Sequence, residues 1–444
     1  MSFLNTKLIA GDLEAFQSDP LGFLTQLSKE NDVASFRLGP FHKVRLISDP
    51  KIIKEILVTK QKYFVKSQDM KVLKSVVGNG LLTSEKDIHQ RQRRLIQPAF
   101  KKNHISSYGE DMIQTTDDYI QQWKDNEQRT ISEDMMNITL GIISKTMFGM
   151  PFKDGHKQIG VPMETIMRQA IKRMRTILPL PLWVPTKNNK KYTQAVKSLD
   201  NVLYEIISER RKNGEQKEDL LGILMDAKDE TGINQMSDRQ LRDELMTIFL
   251  AGHETTANAL IWTFYLLAQN PEAERKLYEE IDGVIGSRKP SPDDYINLSY
   301  TQNVFSEALR LYPPAYVIGR KVDKDVEIEG HHFKRGDMIL ISQYVMHRKP
   351  EYFENPNSFI PERFEKEQRK KLPEYAYFPF GGGPRVCIGN HFAMMEAVLV
   401  IATIARRFRL KLAEEPKKVK PQPVITLRPK HGLQMFIEER MQDN

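Results

Sequence analysis

Apolar residues along this chain recur mostly every three to four positions, the spacing that places them on one face of a helix. Short apolar runs and strict alternation occur in only a few places, so the pattern predicts a helix-rich protein with small patches of strand. Val33 to Leu38 and Lys43 to Ile47 flank Gly39-Pro40 and read as a short hairpin. Helical periodicity then continues, with breaks, to about Gln269. The Pro-rich stretch Leu178 to Pro185, followed by a basic loop from Lys187 to Lys191, reads as a connector between helices. Strands return around Val326 to Ile328, Met338 to Ser342 and Val424 to Leu427, giving small sheets near 33–48, 326–342 and 424–437. No repeat, low-complexity tract or linker divides the chain. The expectation is one domain over 1–444, mainly α with minor β, an α+β fold.

One predicted helix is unusually long. Ser237 and Gln240 have the spacing of a capping box, and the run continues to Gln269 before Asn270-Pro271 breaks it. Its middle carries Ala251-Gly-His-Glu-Thr-Thr256. Ala251 and Gly252 have little side chain and open a space on one face. Thr255, one turn after Ala251, can hydrogen-bond to that carbonyl and loosen the helix locally. A small-residue packing contact between helices is the competing reading. His253 is expected on another face, with no assigned role.

The composition adds one sharp constraint. The chain has a single cysteine, which excludes an intrachain disulfide, a thiolate zinc cluster and an iron–sulfur cluster held by several cysteines. That cysteine stands in Phe380-Gly-Gly-Gly-Pro-Arg-Val-Cys-Ile-Gly389. Three consecutive glycines and a proline rule out regular helix or strand. Asn390 to Arg407 then reads as a long helix, which puts Cys387 near a helix N-terminus, where N–H groups favour a thiolate. Glycines let such a loop lie flat against a planar group. The alternatives are an inert buried thiol or a phosphate-cradling loop, although the Lys-Ser/Thr pair of the latter is missing.

Phe380, Gly383, Arg385, Cys387 and Gly389 match, position for position, the haem-binding signature of the cytochrome P450 family. The chain resembles a soluble, bacterial-type member from about Val33 to its C-terminus. The resemblance implies haem b (iron protoporphyrin IX) between the long central helix and the helix after the cysteine loop, with Cys387 as axial iron ligand. Phe380 would shield the sulfur. Ala251 and Gly252 would open an oxygen groove, and Glu254 and Thr255 would form the acid–alcohol pair that relays protons to dioxygen. Glu307 and Arg310, with Arg363 of Pro361-Glu-Arg-Phe364, resemble the family's structural triad. His89, Arg93, Arg320 and Arg385 fall where propionate donors are expected. His89 departs from the family, which usually has Trp there.

The implied activity is that of a monooxygenase, inserting one atom of O2 into a small apolar or amphipathic molecule. Leu81, Leu82, Ala251, Ala315 and Val317 would line its site. Fatty acids, steroids, terpenoids and polyketide-like molecules all remain open. The chain ends soon after its last strands, so electrons from NAD(P)H are expected through a separate partner. A net charge of +8, with Arg91, Arg94, Lys101 and Lys102 in one segment and Lys366, Arg369, Lys370 and Lys371 in another, suits an acidic ferredoxin, flavodoxin or flavoprotein reductase. Nucleic acid is not expected as a partner. Met1 to Pro20 has no apolar signal core, and Ala397 to Ala405 is too short to span a bilayer, so a cytoplasmic monomer without a membrane anchor is expected. Two alternatives share the fold: a peroxide-driven peroxygenase, disfavoured by the intact Glu254-Thr255 pair, and a non-catalytic haem sensor.

Overall fold

The computed structural model describes residues 11–39, 42–67, 70–149, 156–174, 180–214, 219–227 and 235–440. Pro40 of the expected hairpin turn and Leu178-Pro179 of the expected connector lie outside the described residues. The chain forms two compact units. One comprises residues 1–68, 306–387 and 421–428, and the other 69–305, 388–420 and 429–444.

The first unit is built on a five-stranded sheet. Its strands are β1 (Val33–Leu38), β2 (His42–Ile47), β3 (Phe64–Lys66), β4 (Ile318–Val322) and β5 (Met338–Ile341), in the spatial order β1-β2-β5-β4-β3. Only the β2–β5 pair is parallel. Alternation in β5 sends Ile339 and Ile341 into a core with Ile47, Ile53, Phe64 and Phe378. The expected hairpin is therefore present, as the edge of a larger sheet that sequence periodicity did not assemble. The expected strand at Val424 to Leu427 is corrected. Residues 424–426 form a bend, with Val424 N donating to Thr426 O, between short strands Pro421–Pro423 and Leu427–Pro429.

The second unit is mostly helical, with one small three-stranded sheet. Its elements near the motifs are α1 (Lys86–Ile96), α2 (Ile131–Phe148), α3 (Lys187–Asn213), α4 (Asp238–Leu267) and α6 (Asn390–Arg407). Helix α5 (Ser299–Leu311) carries the chain from the second unit into the first. Helix α4 starts at the predicted capping box, Ser237 accepting from Gln240 N while the Gln240 side chain accepts from Ser237 N. It ends before Pro271, which opens the next helix at its first position. Lys187 to Lys191 is a second correction. These residues are the first turn of α3, whose N-cap Thr186 accepts from Asn189 N at 3.1 Å. The run of lysines masked a helix start that the threonine marks.

Helix α2 packs along α4, and glycine sets how closely. A Cβ at Gly252 would lie 2.7 Å from Ile143 Cδ1, and Thr139 on α2 donates to the carbonyl of His253 at 3.1 Å. No helix among the described residues is long and apolar enough to cross a membrane.

Candidate active site

The cysteine loop is shaped by its backbone. Gly381 and Gly383 have φ of +72° and +64°, a region that residues with a Cβ rarely adopt. A Cβ at Gly383 would lie 2.0 Å from the carbonyl oxygen of Leu57, and one at Gly382 would meet the Tyr375 ring. Glycine is thus required both by conformation and by close approach. Gly383 to Arg385 make one 3-10 turn, Val386 N donates to Gly383 O, and Cys387 N donates to Phe380 O at 2.9 Å. Cys387 is exposed, against the usual habit of an inert thiol. Phe380 and Arg385 are half-buried, and Gly389 is the N-cap residue of α6.

The triad behind this loop is present but uneven. Glu307 and Arg310 on α5 are fully buried and form a two-pronged pair at 2.7 and 2.8 Å. Arg310 also donates to the carbonyls of His347, Pro356 and Ser358, and Glu307 accepts from Ile360 N. Arg363 joins at only 3.5 Å and spends a donor on Asn355 O. The expected triad is therefore a tight pair with a looser third member. The grip reaches the cysteine loop through His347, whose Nε2 accepts from Phe378 N at 3.0 Å. Burial, with Arg310 and Arg348 close by, pushes the imidazole well below its ordinary pKa, so it stays a neutral acceptor.

On α4, burial is unbroken from Leu241 to Leu267 except at Ala251, Gly252 and Thr255. Ala251 is exposed and Thr255 half-buried, so a solvent-open step interrupts an otherwise core helix. The Thr255 hydroxyl donates to the carbonyl of Ala251 at 2.6 Å, the bond expected from the sequence. Gly252 is a correction. The space it leaves is taken by Ile143, so its glycine admits a neighbouring helix while Ala251 forms the open step. Glu254 is buried. His253 is buried too, its Nδ1 donating to Phe249 O at 2.6 Å, and burial lowers its pKa. It therefore stays off the step, as expected.

The remaining predicted residues divide by unit. In the first, Arg320 on β4 is half-buried and donates to Gly319 O, Ala315 is exposed, and Val317 packs against the Leu24–Phe36 cluster. In the second, His89 is buried and Arg93 half-buried on one face of α1, and Leu81 and Leu82 are half-buried. Two acids escaped the sequence reading. Glu244 on α4 and Glu396 on α6 are fully buried, and burial pushes both up to about 8. The signal was present for Glu396: it is the one acid within the apolar stretch Phe392 to Ala405.

These residues fit a haem. Among the described residues no group of three or more His, Cys, Asp or Glu could hold a metal ion. The side-chain-free backbone at 381–383 and the open step at Ala251 are the features a flat cofactor and a small diatomic require.

Known proteins agree. Residues 6–435 match the family model for Cytochrome P450. The chain is 36% identical to cyclooctatin synthase of Streptomyces melanosporofaciens, covering 94% of this chain and 91% of that one. Identity is 33% to cyclooctat-9-en-7-ol 5-monooxygenase of the same organism, over 91% and 88% of the two chains. It is 30% to pentalenene oxygenase of Streptomyces avermitilis, over 92% and 90%. With the cysteine loop, the open step and near-full-length similarity in agreement, the chain belongs to the cytochrome P450 family of haem-dependent monooxygenases.

Proposed function

We propose that Cys387 would hold the iron of a haem b through its thiolate and that Thr255 and Glu254 deliver the protons this oxygenase consumes. The observation that carries this reading is the single exposed cysteine on a glycine-shaped loop, in a chain whose core helix is interrupted by an open step at Ala251 and Thr255. When bound, the haem supplies reductive activation of O2 and transfer of one oxygen atom to the substrate.

The chain's own residues do the rest. Main-chain N–H groups between Cys387 and the start of α6 favour sulfur as an anion. Arg93, Arg320 and Arg385, with His89, would pair with the two propionates. Thr255 holds its hydroxyl proton on the Ala251 carbonyl, so it can turn to pass a proton and return. Glu254, the adjoining acid, replenishes that proton.

The substrate we propose is a largely hydrocarbon, unsaturated compound of the terpenoid class. Leu81, Leu82, Ala251 and Ala315 offer apolar surface. Relatives named for oxidising pentalenene and cyclooctat-9-en-7-ol handle molecules whose names describe an alkene and an unsaturated alcohol. Electrons would come from a separate acidic partner. The exposed bases Arg94, Lys101 and Lys102 in one unit, and Lys366, Arg369, Lys370 and Lys371 in the other, suit such a partner. We also propose that the protein works as a monomer.

The deciding test is the absorption spectrum of the dithionite-reduced CO complex. A strongly red-shifted Soret band is expected and should vanish in Cys387→Ala. A histidine-type spectrum in the wild type would overturn the assignment.

A further inference from the structure

Near the start of α4 two consecutive acids, Asp243 and Glu244, are buried and hold the main chain of residues 78–81. Asn79 N donates to Asp243 Oδ2 and Leu81 N to Glu244 Oε2, both at 2.8 Å. The Gln92 side chain on α1 donates to Asn79 O from the other side. The approach is as close as chemistry permits. A Cβ at Gly78, where φ is +62°, would lie 2.2 Å from the Asp243 carboxyl, and one at Gly80 would lie 2.2 Å from Thr247 Oγ1. Only glycine fits at either place, so Gly78-Asn-Gly80 is built to lie on the helix.

Where it lies matters. Glu244, Ile248, Ala251 and Thr255 are spaced by four, three and four residues, so they form one stripe along α4. Glu244 stands about 10 Å from Ala251 along the axis. The segment is therefore seated on the face that opens at the step, and Leu81 and Leu82 emerge directly from the seat.

The chemistry of the seat is also telling. Arg242 neutralises Asp243 at 2.9 Å. Among the described residues Glu244 has no such partner and its Oε1 no hydrogen-bond partner, and burial pushes it up to about 8, with Asp243 adding to the rise. At neutral pH it is an uncharged acid accepting one N–H, a role that glutamine can fill.

We propose that Asp243 and Glu244 are positioning residues that seat the Gly78–Leu82 segment on the open face of α4 and thereby set how bulky a molecule fits beside Ala251. The size consequence rests on the haem assignment above; the seat itself does not.

The test uses the haem-loaded protein, with Glu244→Leu to remove the acceptor and Glu244→Gln to keep it. Hydrogen exchange at the Leu81 amide should be at least tenfold faster in E244L and within twofold of wild type in E244Q. The dissociation constant for the bulky azole clotrimazole, read from the Soret shift, should weaken at least fivefold in E244L, while that for imidazole stays within twofold. A Leu81 amide that exchanges at the unprotected rate in the wild type overturns the seat, and needs no variant to fold. An unchanged clotrimazole-to-imidazole ratio in E244L, once the amide is released, overturns the size-setting role. Failure of the wild type to give any azole shift would sink the haem assignment instead and leave the exchange result standing.

Discussion

The cysteine loop and the open step of α4 both depend on glycine, for different physical reasons. In the loop the backbone itself demands it: Gly383 sits at φ +64°, and a Cβ there would meet the carbonyl oxygen of Leu57 at 2.0 Å. In the helix Gly252 has ordinary helical geometry, and what a side chain would meet is the tip of Ile143 at 2.7 Å. Main chain cannot yield without moving the helical turn that carries Leu57, whereas an isoleucine tip can change rotamer. One glycine is fixed by covalent geometry and the other by packing.

That contrast predicts the largest difference. Gly383→Ala combines a left-handed backbone cost of about 1–2 kcal/mol with a main-chain clash, so the loss should be at least about 3 kcal/mol. Gly252→Ala forces repacking worth about 1–3 kcal/mol but gains up to about 1 kcal/mol of helix propensity. Urea midpoints of the haem-loaded proteins, measured in parallel, decide the matter. Equal losses at the two sites would show that Ile143 is as immovable as the Leu57 carbonyl.

The functional side of the step gives a smaller effect. Thr255→Ala should leave fold and haem content intact, since its hydroxyl bonds to a carbonyl of its own helix. If it passes protons, at least about a tenfold fall in product per NAD(P)H consumed is expected, with hydrogen peroxide rising in its place. Turnover with an added ferredoxin and its reductase measures both. Unchanged coupling would reduce Thr255 to a helix-loosening residue.

How much of this was legible depended on the range of the interaction. The capping box of α4, the Thr255–Ala251 bond and the Glu307–Arg310 pair join residues three or four apart, and the sequence displays such spacing directly. The glycine-rich loop was legible because its conformation is covalent. What stayed hidden joins distant segments. Ile143 filling the space beside Gly252 spans two helices, and the weak place of Arg363 in its triad depends on Asn355 O drawing off a donor. Lys187 to Lys191 misled because charge suggested a loop, while the local signal that governs, Thr186 as N-cap, is a single residue.

The buried flank of α4 beside that stripe offers the subtlest test. Thr256, next to the proposed proton donor, stands beside Glu396 of α6, whose carboxyl is fully buried. Burial pushes this acid up to about 8, and Thr256 offsets only part of the rise. An acid whose pKa is higher in the folded state keeps its proton there while the unfolded chain has released it. Stability is therefore greatest below the ordinary carboxylate value and is lost as pH climbs towards 8, with a slope of at most about 1.4 kcal/mol per pH unit. Between pH 7 and 8 this group should remove about 1 kcal/mol. Glu244 adds a loss of the same sign, so Glu396→Gln should flatten the wild-type slope by about half rather than abolish it. Urea midpoints at pH 7 and pH 8 give the slope directly. A variant that tracks the wild type across that interval would mean that Glu396 is already ionised in the folded protein, and that α4 carries a charge against its closed face as well as an acid beside its open one.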